Sequence, residues 1–379
     1  MTIAIVGGGL AAATAATELR DQGYDGDVVI FSAEDHLPYE RPPLSKEVLL
    51  GSKQVEEAQV HDEAWYAENR VRLERGVKVV SIDRTAHTLR TEPVAGGESA
   101  EHAYDRLLLA TGAFPRHFPV ADRVADPLYL RTVEDNARLL AALKPGAKIV
   151  IVGAGWIGLE VASAARQKGV EVTVYEVADL PLVAVLGPEI AQLFAELHRA
   201  HGVALRLGTP VTEEAMAAAD LVVVGIGAIP ATELAEQAGL DVDHGVLVDE
   251  TLRTSDPDIY AIGDVASQQH PVLGRRIRVE HWDTAIEQGK VVAHNLAGAS
   301  EQYTHLPYFF TDQYDLGMEY FGSVGPDGYD RVDIEGDTDV VNGGAFRAYW
   351  VKDGTVLAAM HANDWDSSDA VRDSVGTTR

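Results

Sequence analysis

Cysteine is absent from all 379 residues of the chain. That excludes structural disulfides, thiolate metal sites and any dithiol–disulfide relay, so a redox role would need a bound cofactor to carry the electrons. Long apolar runs are missing too, and none approaches the ~18–20 residues that cross a bilayer. Positive charge is scarce: 31 Lys and Arg stand against 59 Asp and Glu, a net charge of −28. Such a balance disfavours nucleic acid and anionic membrane as partners. It reads as a solubility device or as the mark of a high-salt habitat. No basic segment with an apolar core precedes the first strand-like residues, and the expectation is a cytoplasmic protein. Hydrophobic residues at 46% and charged residues at 24% are ordinary for a globular chain, and the length suits two or three domains.

What is present is a repeated pattern. "MTIAIVGGGLAAATAA" opens the chain, and "KIVIVGAGWIGLEVA" (Lys148–Ala162) repeats its order of β-branched run, glycine-spaced turn and alanine-rich helix. Residues 1–116 read as a βαβ unit with connecting strands, and residues 117–243 as a second unit. Residues 244–312 return to short strands and turns, completing the first domain. Within residues 313–379, "GGAFRAYWVKDGTVLAAM" alternates apolar and polar residues around Lys352-Asp353-Gly354, a hairpin signal for a small antiparallel domain. Strand–helix alternation with Gly-bounded strands predicts parallel sheets covered on both faces. The fold expected is α/β, with two Rossmann-like dinucleotide-binding domains and a small α+β domain at the C-terminus.

Gly7, Gly9 and Ala12 fit G-x-G-x-x-G/A, and Gly153, Gly155 and Gly158 fit it fully. The first glycine allows the tight turn, the second lets backbone approach a pyrophosphate, and the third small residue lets helix pack on strand. Glu34 and Glu176 end the following strands, where a carboxylate can accept from an adenosine ribose. Small residues could serve close packing alone, but strand, helix and acid stand in the right order at both turns. Glu176 would repel a 2′-phosphate, and no arginine follows it, so NADH is favoured over NADPH. Two dinucleotide turns without a thiol suggest FAD and NAD, with hydride passing directly between them.

"LPYERPPLSK", "ATGAFPR", "LRTVEDN", "GAGWIGLE", "IYAIGDVA", "RVEHWDTAIEQGK" and "TDQYDLGMEYFG" occur in this order. Together they resemble the FAD-dependent, NADH-oxidising ferredoxin reductases of oxygenase and cytochrome P450 systems. Relatives of these are the rubredoxin reductases and apoptosis-inducing factor, within the glutathione-reductase-like fold. The resemblance implies that Gly7, Gly9, Ala12 and Glu34 hold the ADP half of FAD. It implies further FAD contacts from Arg41, Val79, Ala110, Thr111, Gly112, Arg131, Gly263, Asp264 and Trp282, with Lys46 beside the flavin ring. For NAD it implies Gly153, Gly155, Ile157, Gly158, Glu176 and Gly227, with Glu160 and Glu280 near the nicotinamide. A docked [2Fe–2S] ferredoxin would meet Arg275, Arg276, Lys290 and Phe310.

Physical argument adds to this. A lysine fixed by Pro42-Pro43 swings little, and a buried one needs a partner, for which Glu160 is the candidate. Lys46 and Glu160 are therefore the expected catalytic pair. Trp282 reads equally as a core residue, and "GRRIR" (Gly274–Arg278) as a solvated hairpin. Four departures from the family pattern bear on the acceptor and on NADH affinity. Thr212–Asp220 is shorter than the family's hairpin, and Ala184 stands where a cation is usual. Phe310 replaces a tryptophan, and the C-terminus is short and acidic. The leading expectation is electron transfer to ferredoxin. The alternatives are an oxidase acting on oxygen, a reductase of a quinone or small organic molecule, and an NADH-sensing flavoprotein.

Overall fold

The computed structural model describes residues 1–379, which divide into two compact units. The first unit comprises residues 1–40, 56–114 and 229–305. Its centre is a five-stranded parallel sheet in the order Ile259–Ala261, Arg106–Leu109, Thr2–Val6, Asp27–Phe31, Val71–Glu74. Ile3, Ile5, Ile30, Leu107 and Leu108 are fully buried there or nearly so, as strands covered on both faces require. Two three-stranded sheets complete the unit: Val77–Asp83 with Thr88–Pro93 and Ala100–Ala103, and Val246–Val248 with Ala266–His270 and Arg275–Ile277.

Helix Leu10–Asp21 packs on helix Trp282–Leu296, which returns from the far end of the unit's sequence. The alanines of the first helix and Gly289 of the second allow this approach. A Cβ at Gly289 would stand 2.9 Å from the Thr14 Cβ.

The second unit comprises residues 41–55, 115–228 and 306–379. It holds a four-stranded parallel sheet in the order Ala204–Arg206, Glu171–Tyr175, Lys148–Val152, Leu221–Val224. It also holds a five-stranded antiparallel sheet, Tyr308–Gln313, Leu316–Gly322, Thr355–Ala362, Phe346–Lys352, Arg331–Gly336. The expected hairpin is there: Asp353 and Gly354, both at positive φ, join the two central strands. One core, including Leu159, Phe194, Met318, Trp350 and Met360, runs from the parallel sheet's helices to the antiparallel sheet.

The division differs from the sequence expectation at three places. Residues 229–243 supply Ala235 and Leu240 to the first unit's core, and residues 41–55 lie with the second. The antiparallel sheet begins at Tyr308, so Gln313 ends its first strand. The shortened stretch after Thr212 forms a single helical turn, Glu213–Ala217, capped by the Thr212 hydroxyl. No helix is long and apolar enough to cross a membrane.

Substituting Gly289→Ala should overpack the seam against Thr14. The urea midpoint should fall by an amount equivalent to about 1–3 kcal/mol with an unchanged m-value.

Candidate active site

Both glycine turns have a closed floor and an open top. In the first, Gly7 has φ +119°, and a Cβ there would lie 2.1 Å from the Ala110 carbonyl oxygen. Gly9 caps the following helix with nothing within 4 Å of its missing Cβ, while Ala12 is completely buried. In the second turn, a Cβ on Gly153 would lie 2.4 Å from the Gly225 oxygen and one on Gly158 2.2 Å from the Gly153 oxygen. Gly155, the cap of helix Trp156–Gln167, meets nothing nearer than 3.8 Å. Close contact below and free space at a helix N-terminus are what a pyrophosphate requires, so the residues present fit two dinucleotides.

Further expected residues lie around the second turn. Glu176 accepts from the amides of Ala154 at 2.7 Å and Ala178 at 2.9 Å, so its carboxylate is fixed at the turn with lone pairs to spare. Ile157, in the helix's first turn, leaves 42% of its apolar surface exposed. Gly227 follows strand Leu221–Val224 at φ +98° with open space above it. Val177, 74% exposed directly after Glu176, joins this group without any expectation from the sequence. Ala184 is exposed in the first turn of helix Val183–Ala200 and brings no cation.

Lys46 and Glu160 meet. Lys46 ends the 3-10 turn Pro42–Ser45, and its ammonium lies 2.8 Å from Glu160 Oε1, the two side chains 9% and 3% exposed. The prolines preset that turn, and Asn136 donates to the Leu44 carbonyl at 2.7 Å to hold it. Glu160 has two further donors: Thr311 Oγ1 at 2.7 Å on Oε1, and Ser45 Oγ on Oε2. Three donors, one of them carrying a full positive charge, offset the loss of water around a buried carboxylate.

Behind Thr311 the polar contacts continue. Gln313 Nε2 donates to Thr311 Oγ1 at 3.1 Å, and His198 Nε2 lies 2.7 Å from Gln313 Oε1. Burial pushes the His198 imidazole down to about 4, and His201 adds to that, while the Gln313 bond opposes it. Ser45, Thr311, Gln313 and His198 were all missed by sequence reasoning. The only available signal was a polar Thr-x-Gln alternation in an otherwise aromatic strand.

The first unit carries most of the expected FAD residues. Glu34 accepts from the Tyr39 hydroxyl at 2.6 Å. At Val79, expected to meet FAD, a bulge takes the following Val80 out of the ladder. Thr111 and Gly112 both bond to Ala231, and Gly263 donates its amide to the buried Gln288 side chain at 2.7 Å. Asp264 accepts through its carbonyl from Arg278, whose guanidinium also pairs with Glu280. Trp282 is only partly buried, at the first position of its helix, and lies outside the hydrophobic core. Arg41 and Arg131 belong to the second unit, where the Arg41 guanidinium donates to the Arg131 carbonyl. Of the expected docking cations, Arg276 bonds the carbonyls of Val248 and Ser267, and Lys290 pairs with Glu287 at 2.6 Å.

Two open-topped glycine turns and a buried lysine–carboxylate pair, in a chain without thiols, suit a flavin-dependent oxidoreductase, and the chain's family and relatives place it among those that use FAD and NAD(H). Comparison with known proteins agrees. A model of the pyridine nucleotide-disulphide oxidoreductase family matches residues 1–289, and the chain belongs to that family. It is 39% identical, over 95% of its length and 90% of the relative's, to the anthranilate 1,2-dioxygenase system ferredoxin--NAD(+) reductase component of Burkholderia cepacia. It is 37% identical to rhodocoxin reductase of Rhodococcus erythropolis, over 89% of this chain and 82% of the other. Among solved structures, the covalent putidaredoxin reductase–putidaredoxin complex contains a chain that matches with a TM-score of 0.91 and 32% identity, covering 100% of this chain and 94% of that one.

The geometry separates two kinds of glycine. Gly153→Ala should cost about 1–3 kcal/mol of stability, since it forces a left-handed φ and a clash with Gly225. Gly155→Ala should leave stability within about 1 kcal/mol but weaken NADH binding by roughly tenfold, read by titration of the holoenzyme.

A second expectation concerns acid. His198 is neutral in the folded chain down to about pH 4, whereas an unfolded histidine takes up its proton near 6.5. The unfolded state therefore binds more protons across that window, and stability falls as pH drops from about 6.5 to about 4. From pH 7 to 5, the urea-derived stability should fall by about 2 kcal/mol more in the parent than in His198→Gln.

Proposed function

We propose that the chain is an NADH-dependent reductase that passes single electrons to a [2Fe–2S] ferredoxin. The observation that carries this reading is near full-length similarity, 39% over 95% of this chain, to a ferredoxin--NAD(+) reductase component. FAD, when bound, supplies acceptance of an electron pair as hydride from NADH and its release one electron at a time.

The chain's own residues do the rest. Gly155 and the N-terminus of helix Trp156–Gln167 receive the NADH pyrophosphate, and Glu176 accepts from ribose hydroxyls while turning away a 2′-phosphate. The turn at Pro42-Pro43 and the bond to Glu160 hold the Lys46 ammonium at a fixed point, where it steadies negative charge developing beside it without reorganising. Glu160 keeps that ammonium in place.

A second reading has an observation of its own. Arg276 and Lys290, expected to meet an acidic ferredoxin, are engaged within the chain, and Phe310 stands where the family resemblance implies a tryptophan. This favours an acceptor without a charged docking face: oxygen, a quinone or a small organic molecule.

One anaerobic series tests both. NADH should bleach the yellow holoenzyme quickly, and cytochrome c should then be reduced only when a ferredoxin is added. Peroxide formed in air without a ferredoxin effect would favour the oxidase, and slow bleaching that persists in air the sensing flavoprotein. In the same series Glu160→Gln should slow bleaching by roughly tenfold or more. An unchanged rate would remove the pair from the hydride step.

A further inference from the structure

We infer that Thr311, Gln313 and His198 are positioning residues that act through Glu160: a buried, one-directional series of hydrogen bonds that aims a donor at its carboxylate and fixes it beside Lys46. The inference rests on the reading of Glu160 above and names the residues that support it.

Direction follows from what each group can give. A carboxylate only accepts, so the Thr311 hydroxyl spends its single proton on Glu160 Oε1 at 2.7 Å. Thr311 Oγ1 can then only accept from Gln313, which sets that amide with its nitrogen toward Thr311 at 3.1 Å and its oxygen toward His198. A reversed amide would set two acceptors against each other. The Gln313 oxygen requires a hydrogen on His198 Nε2, 2.7 Å away, leaving Nδ1 bare and facing the Tyr314 hydroxyl at 3.4 Å. Every donor points toward Glu160. Thr311 and His198 are 0% exposed and Gln313 1%, so water does not compete and the bonds polarise one another.

The series is not a proton wire. A side-chain amide at its centre carries orientation rather than protons, and protonated His198 would have to place a second N–H against the Tyr314 side. The Tyr314 ring is itself stacked on His201 at 3.7 Å, and its amide is held by Ser163 Oγ at 2.8 Å. Ser163 sits one turn after Glu160 on the same helix, so the end of the strand that carries Thr311 and Gln313 is tied to the helix that carries Glu160.

The charged groups around Glu160 are few. Lys46 is paired with it at 2.8 Å. Asp312 and Glu47 share the same field: desolvation holds the Asp312 carboxyl above its ordinary range, Lys46 draws it down, and Glu160 and Glu47 push it up. His198 is neutral, and Arg166 acts on Tyr314 at the far end. Removing the Thr311 donor therefore leaves only Lys46 and Ser45 to hold the Glu160 carboxylate.

The test uses holoenzyme carrying Thr311→Val, with Thr311→Ser as the conservative rescue and Gln313→Met as a second variant that spares the direct donor. Infrared pH titration of the oxidised protein, with the Glu160 acid band assigned by its loss in Glu160→Gln, should show protonation about one pH unit higher in Thr311→Val, a tenfold gain in proton affinity. Gln313→Met should shift the band in the same direction by less, and Thr311→Ser should restore it. The acid limb of anaerobic hydride transfer should move with the band. In ¹⁵N-histidine NMR, His198 should show Nε2–H in the parent and lose that fixed tautomer in Gln313→Met. Folded Thr311→Val and Gln313→Met proteins with an unmoved band would overturn the inference. The band does not depend on turnover, so it still answers if hydride transfer proves indifferent to Glu160, and the two readings fail separately.

Discussion

A carboxylate taken out of water organises the second unit. Leaving a buried charge without partners costs several kcal/mol, more than most single contacts return. Glu160 escapes that cost because separate stretches of chain bring donors to it: Ser45 and Lys46 from a proline-led turn, and Thr311 from the first strand of the antiparallel sheet. Each stretch is secured elsewhere. Asn136 holds the turn at Leu44, on a helix whose own start is fixed by the reciprocal Thr132–Asp135 cap. Residues 41–55 lie with the second unit for this reason, since their lysine has its counter-charge there.

The family name carries the word disulphide, and this chain has no cysteine to match it. With a dithiol excluded, the electrons have no protein side chain to rest on between donor and acceptor. The chain's contribution is therefore geometric and electrostatic. Backbone closes below each glycine turn, helix N-termini face the open side, and one cation is held still by a buried anion. Such a machine depends on preorganisation, which explains why so much of the surrounding polarity is fully buried and hydrogen-bonded.

Features that were legible in the sequence were local ones. Gly7 and Gly153 announce themselves because a left-handed turn after a β-branched run has few other causes, and the strands and helices beside them follow in register. The Asp353-Gly354 turn was equally plain. The meeting of Lys46 with Glu160 was reached through family resemblance and the rule that buried charges pair, not through spacing. Thr311, Gln313 and His198 could not be found that way. Alternation says which residues of Tyr308–Gln313 share a face, but not that a helix bearing Glu160 covers that face. Commitments such as Arg276 to carbonyls of its own sheet are similarly invisible, because a basic residue reads the same whether it points outward or folds back.

The edge position of strand Tyr308–Gln313 links these observations. In the interior of a sheet, consecutive residues face opposite layers and cannot serve one group. This strand has a neighbour on one side only. Lys46 lies 2.8 Å from the carboxylate that Thr311 holds and also 5.2 Å from the centre of the Phe310 ring. The ammonium thus sits at an open sheet edge, reached by adjacent residues of opposite faces. An aromatic ring near a partly desolvated cation adds attraction through its quadrupole, a property that phenylalanine retains when it replaces tryptophan, though more weakly. Such a replacement loses the indole donor and keeps the electrostatic wall. The charge arrangement around Lys46 therefore tolerates the exchange, and its consequences fall on whatever approaches Phe310 from outside.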